Sequence, residues 1–111
     1  MSTLSTHVLD TMHGRPAAGL LVVLSGPSGE IERGTTNADG RCPDLAPAEL
    51  APGRYSLRFA VADYFRGLGV ALPDPPFLSE VTVDFGIAAD GGHYHVPLLV
   101  SPYGYSTYRG S

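Results

Sequence analysis

The chain has 111 residues, an ordinary size for one domain, and its 43% hydrophobic content is enough to build a core, which sets it apart from disordered chains. A net charge of -4, with 7 basic residues that form no cluster, leaves a phosphate-tracking surface for nucleic acid without support. Only 16% of residues are charged, which implies that partners cover part of the surface. Cys42 is the single cysteine, so no internal disulfide can form and a reducing compartment fits. Met1 to Leu9 lacks the charged start and apolar run of a secretory signal, and no later run reaches membrane-spanning length. The expectation is one soluble, cytoplasmic domain over residues 1–111.

Glycine (14) and proline (10) punctuate short apolar runs along the chain, the pattern of an all-β sandwich or barrel with tight turns. In chain order, strands are predicted at Leu4–Asp10, Leu20–Ser25, Ile31–Thr36, Arg41–Leu45 and Arg54–Ala60. Glu80–Phe85, His93–Ser101 and Tyr103–Arg109 complete the set. Gly26-Pro27-Ser28-Gly29 and Asp39-Gly40 have turn composition, and Met12 to Pro16 form a turn that places His13 on the surface. One short helix is predicted at Ala62–Leu68, ended by Gly69 and lying on the surface as a crossover.

Two strands reveal their faces, because side chains alternate with a period of two. Tyr94, Val96, Leu98 and Val100 share a uniformly apolar face that suits a core, and His93, His95, Pro97 and Leu99 point the other way. In the first strand, Leu4, Thr6 and Val8 face the core, while Ser5, His7 and Leu9 lie opposite. Histidine mixed with leucine is unusual on a solvated face, and its occurrence on two strands reads as the wall of an interface or cleft.

Three chemistries compete for these residues. His93 and His95 with His7 could supply three imidazoles to zinc, but cysteine and carboxylate ligands are sparse nearby and a metal-free site is favoured. Nucleophilic catalysis lacks a Gly-x-Ser-x-Gly elbow, and Cys42 reads as a small buried or half-buried residue. Arg41 directly follows the Asp39-Gly40 turn, where a long cation can reach sideways into a pocket. The tail from Ser101 to Ser111 holds Tyr103, Tyr105 and Tyr108, which would bury a large area if docked, and an ordered tail would hold the Ser111 carboxylate in a fixed place.

Four motifs in order, Leu4-Ser-Thr-His-Val-Leu-Asp10 with Gly14-Arg-Pro-Ala17, Thr36-Asn-Ala-Asp-Gly-Arg41, His93-Tyr-His-Val-Pro-Leu-Leu99 and Tyr108-Arg-Gly-Ser111, resemble the 5-hydroxyisourate hydrolases. The resemblance implies a transthyretin-like two-sheet β-sandwich that assembles as a homotetramer, a dimer of dimers, around a channel holding the active sites. It further implies His7, Arg41, His95 and Ser111 as the catalytic set, with His7, Arg41, Tyr108 and Ser111 binding substrate. The implied reaction is hydrolysis of 5-hydroxyisourate to 2-oxo-4-hydroxy-4-carboxy-5-ureidoimidazoline in urate breakdown, with water activated by histidine and no cofactor. The competing expectation is a non-catalytic carrier that uses the same channel for a small aromatic ligand. The stretch Ala71 to Phe77, with three prolines, departs from the family pattern and predicts altered edge packing.

Overall fold

The computed structural model describes residues 2–45 and 49–110. Eight strands and one helix follow in the order β1 (Ser2–Asp10), β2 (Arg15–Pro16), β3 (Leu21–Gly26), β4 (Gly29–Thr35), β5 (Gly53–Phe59), α1 (Val61–Gly67), β6 (Val81–Ile87), β7 (Gly92–Ser101) and β8 (Gly104–Thr107). They form two four-stranded sheets, ordered β2-β1-β7-β8 and β4-β3-β5-β6. The fold is thus the two-sheet β-sandwich with one short helix that the sequence leads one to expect.

The core lies between the sheets because each contributes one apolar stripe at the period of its pleat. From the first sheet come Leu4, Val8, Tyr94, Val96, Leu98 and Val100; from the second come Val22, Leu24, Leu57, Phe59, Val81 and Val83. β1 and β7 run parallel in a register that pairs Ser5 with His95 and His7 with Pro97, so the predicted faces of both strands are realised together. Strands β3 and β4 close through a two-residue turn at Pro27-Ser28, with Gly26 opposite Gly29.

Three expectations are corrected. Arg41–Leu45 is not a strand: only Arg41 bridges β1, and Leu45 N–H already turns back onto the Cys42 carbonyl at 3.2 Å. Pro43 has no N–H to extend a ladder, which ends the pairing there. The helix is a core element rather than a surface crossover: Val61, Ala62, Tyr64 and Phe65 are buried, Phe65 completely. Their i, i+3, i+4 spacing forms one apolar face. The helix does stop at Gly69, whose φ of 82° lets the Val70 N–H reach Phe65 O (3.1 Å) and the Gly69 N–H reach Arg66 O (2.9 Å). Finally, the last strand is shorter than Tyr103–Arg109, and Tyr103, Tyr105 and Tyr108 are exposed on the single chain.

The turn after β1 is tied to the helix by a buried carboxylate. Asp10 accepts from the Tyr64 hydroxyl (2.7 Å), the His13 backbone N–H (2.9 Å) and the His13 ring (2.6 Å), so His13 is the surface turn residue expected, with its ring and N–H held by this carboxylate. Burial pushes the Asp10 carboxyl up, but these donors outweigh it and the net direction is down. The Tyr64 hydroxyl is pushed up to about 12 by burial and by its bond to Asp10.

Candidate active site

The outer face of the β2-β1-β7-β8 sheet carries the chemistry. Ser5 and His7 project from β1 and His93 and His95 from β7, and the parallel register sets them side by side. Leu9 and Leu99 lie on the same face, half-buried. His7 and Arg41 are paired by an antiparallel bridge, made possible by the loop before Arg41. In that loop the Asn37 side-chain oxygen accepts from Asp39 N–H and Arg41 N–H, both at 3.0 Å, and Gly40 O accepts from Val8 N–H at 2.8 Å. Gly40 has a φ of 77°, and a Cβ there would sit 2.4 Å from Val8 O, so only glycine lets the loop lie this close to β1.

Hydrogen bonds define the imidazoles. His7 Nε2 lies 2.8 Å from Asp39 O. A carbonyl can only accept, so Nε2 carries the hydrogen, and in the neutral ring Nδ1 is the basic nitrogen. His95 Nδ1 lies 2.7 Å from Ser5 Oγ, which leaves Nε2 for substrate or water. Burial pushes His95 below its usual 6.5, and the neighbouring Arg41, His7 and His93 push the same way. His95 is therefore neutral at neutral pH, able to accept a proton.

The tail closes one side of this group. Gly110 N–H donates to His95 O at 2.8 Å, and a Cβ on Gly110 would stand 2.6 Å from the His95 ring, so glycine allows the tail to lie against the imidazole. Arg109 stacks over Tyr94, its guanidinium carbon 3.9 Å from the ring centroid, and reaches toward His93 O at 3.4 Å.

Of the predicted set, His7, Arg41 and His95 come together on this face. Ser111 lies outside the described residues. Tyr108 lines a separate cleft of about 270 Å³ at the sandwich edge, with Val83, Phe85, Tyr94 and Arg109. A cleft of about 570 Å³ on the second sheet, lined by residues such as Arg54, Tyr55 and Asp84, contains no imidazole. Among the described residues, no three His, Cys, Asp or Glu side chains converge as a metal-holding group. Sequence reasoning missed Asn37, Gly40 and Gly110 as the backbone devices that assemble the site, although the turn at Asp39-Gly40 pointed to one of them.

The HIUase/Transthyretin family model matches residues 4–110. A 5-hydroxyisourate hydrolase of Mesorhizobium japonicum is 55% identical, with 97% of this chain and 91% of that one aligned. The structure of Klebsiella pneumoniae 5-hydroxyisourate hydrolase superposes with a TM-score of 0.88 at 40% identity, covering 100% of both chains. Sea bream transthyretin in complex with thyroxine superposes with a TM-score of 0.84 at 29% identity, over 96% of this chain and 93% of that one.

Proposed function

Because the chain belongs to the HIUase/transthyretin family and is a hydrolase like its relative at 55% identity, we propose that it opens the six-membered ring of 5-hydroxyisourate by metal-free water attack. The product is 2-oxo-4-hydroxy-4-carboxy-5-ureidoimidazoline. The single observation that carries the reading is the trio His7, Arg41 and His95 on one outer sheet face, with His95 held neutral.

His95 is the general base. A neutral imidazole beside a permanent cation takes a proton from water at Nε2, an effect worth about 10²–10⁴-fold. Its lowered basicity keeps it unprotonated at a pH where an ordinary histidine would begin to charge. The water oxygen adds to a ring carbonyl carbon, the carbonyl becomes an oxyanion, and the carbon-nitrogen bond then breaks as His95 returns its proton to the leaving nitrogen. Arg41 offers a planar fork of donors that suits a ring with several carbonyl oxygens and stabilises the oxyanion. His7, fixed by Asp39 O, presents Nδ1 as an acceptor for a ring N–H. Ser111 and Tyr108 join the substrate-binding set through the tail, whose Gly110 is pinned to His95.

The assembly proposed is a homotetramer, a dimer of dimers, in which this face lines a shared channel. Edge strands β6 and β8 and the exposed Tyr103, Tyr105 and Tyr108 supply unpaired backbone and apolar surface for such contacts. A cytoplasmic location fits the free, buried Cys42. No helix among the described residues is long and apolar enough to cross a membrane.

Freshly formed 5-hydroxyisourate, produced from urate by urate oxidase and followed by its absorbance, tests the reading. The protein accelerates its disappearance over spontaneous decay, a chain lacking residues 108–111 does not, and a strong chelator changes nothing. A carrier of the transthyretin kind would bind an aromatic ligand without accelerating the decay. Inhibition by the chelator, reversed by added metal, would overturn the metal-free step.

A further inference from the structure

The described side chains form a hydrogen-bonded file leading away from His95. Ser5 Oγ lies between two imidazoles, 2.7 Å from His95 Nδ1 and 2.8 Å from His93 Nε2, and His93 Nδ1 lies 2.7 Å from Thr3 Oγ1. Ser5 has one proton and contacts two ring nitrogens, so with both rings neutral it donates to one and accepts from the other. The file therefore has a direction. When His95 Nδ1 carries hydrogen, that hydrogen points at Ser5, the Ser5 hydroxyl points at His93 Nε2, and His93 Nδ1–H points at Thr3.

The two ends of this file differ in what they can hold. His95 is half-buried, and the charged and titratable groups facing it are Arg41, His7 on β1 and His93 on its own strand. An imidazolium there is desolvated and repelled by the Arg41 guanidinium. His93 is exposed, with its Nδ1 at a hydroxyl and its backbone carbonyl approached by Arg109. Water can solvate a charge on His93.

We propose that Ser5 and His93 form a proton relay for His95, so that the positive charge generated during water attack resides on the exposed His93 ring. The proposal rests on the assignment of His95 as general base. In the step, a water O–H bond breaks as the oxygen bonds to the substrate carbonyl carbon, and the proton goes to His95 Nε2. The His95 Nδ1 proton passes to Ser5 Oγ, and the Ser5 hydroxyl proton passes to His93 Nε2, making His93 the cation while His95 stays neutral. His93 Nδ1–H donates to Thr3 throughout, which holds the ring in plane with the file. When the carbon-nitrogen bond breaks, His95 Nε2–H goes to the leaving nitrogen, and His93 returns its proton through Ser5. No proton is gained or lost over the cycle. Ser5 and His93 are positioning residues that act through His95.

The test combines turnover with imidazole NMR on the intact protein. Ser5→Ala and His93→Phe each lower kcat by about tenfold or more, with KM changed less than about twofold. Ser5→Thr, which keeps a hydroxyl, retains most of the activity. Added imidazole restores part of kcat in His93→Phe and leaves wild type unchanged, a response that a merely structural role would not give. In 15N spectra, Ser5→Ala moves the His95 Nδ1 signal. Wild-type kcat in both Ser5→Ala and His93→Phe would overturn the relay, as would loss of activity in both with no buffer rescue and no change at His95 Nδ1. His95→Gln with full turnover would instead remove the general-base assignment itself.

Discussion

The two sheets of the sandwich bury similar stripes of Val, Leu and aromatic side chains, yet their outer faces have little in common. On β4-β3-β5-β6 the outward groups include exposed ion pairs, Arg33 with Glu30 at 2.6 Å and Arg58 with Glu80 at 3.2 Å, whose partners are open to solvent. On β2-β1-β7-β8 the outward groups are imidazoles and hydroxyls bonded to one another, half-buried at Ser5, His7 and His95 and exposed at Thr3 and His93, with an arginine brought to them by a glycine turn. The core face is dictated by hydrophobic burial and is therefore alike in both sheets. The outer face is free of that demand, and a departure from ordinary solvated charge is where function becomes visible.

The contrast can be broken most severely at Arg41. Arg41→Gln should lower kcat by about 10²–10³-fold, the cost of losing an oxyanion donor, with the fold unchanged by circular dichroism. It should also raise the His95 titration midpoint, read by NMR, because a cation that opposes its protonation has gone.

A smaller effect is expected from pH. Folded His95 titrates below 6.5 and the unfolded ring near 6.5, so between these values the unfolded state binds more protons. Stability contributed by this residue is present above that window and falls as the pH drops through it. The acid limb of kcat should likewise lie below that of an unperturbed imidazole, and a limb at or above 6.5 would contradict the neutral-base assignment.

Away from the site, Tyr64→Phe removes a bond to the buried Asp10 carboxylate and should cost about 1.5–3 kcal/mol in denaturant unfolding at neutral pH. Because the folded Asp10 pKa is lowered, the stability it confers is present above the carboxylate range and is lost in acid, so the Tyr64→Phe penalty shrinks there. Turnover should change little. The smallest effect belongs to the outer face of the second sheet: Arg58→Gln should leave both melting temperature and kcat unchanged within error, since exposed ion pairs contribute little.

Much of this was legible in the sequence. Alternation over His93 to Val100 and Leu4 to Asp10 assigned inner and outer faces correctly, since the period of two survives any error in strand ends. Arg41 could be nominated from the turn before it and His7 from the alternation of the first strand, but their pairing came only from the family resemblance, because it depends on Val8 bonding Gly40 across more than thirty residues. The helix was misjudged because its seven residues are too few to display a convincing stripe, and the burial of Tyr64 follows from Asp10, which is distant in sequence. Ser5 could be placed on the outer face but given no role: a lone serine on a strand says nothing of its chemistry until two imidazoles are found on either side of it.

The central claim, that the imidazole-bearing face does the chemistry, is tested most directly by the rate of 5-hydroxyisourate disappearance in wild type, His95→Gln and Arg58→Gln measured side by side. The account predicts a drop of about 10²–10⁴-fold for His95→Gln and none for Arg58→Gln. Equal rates in all three proteins would contradict it.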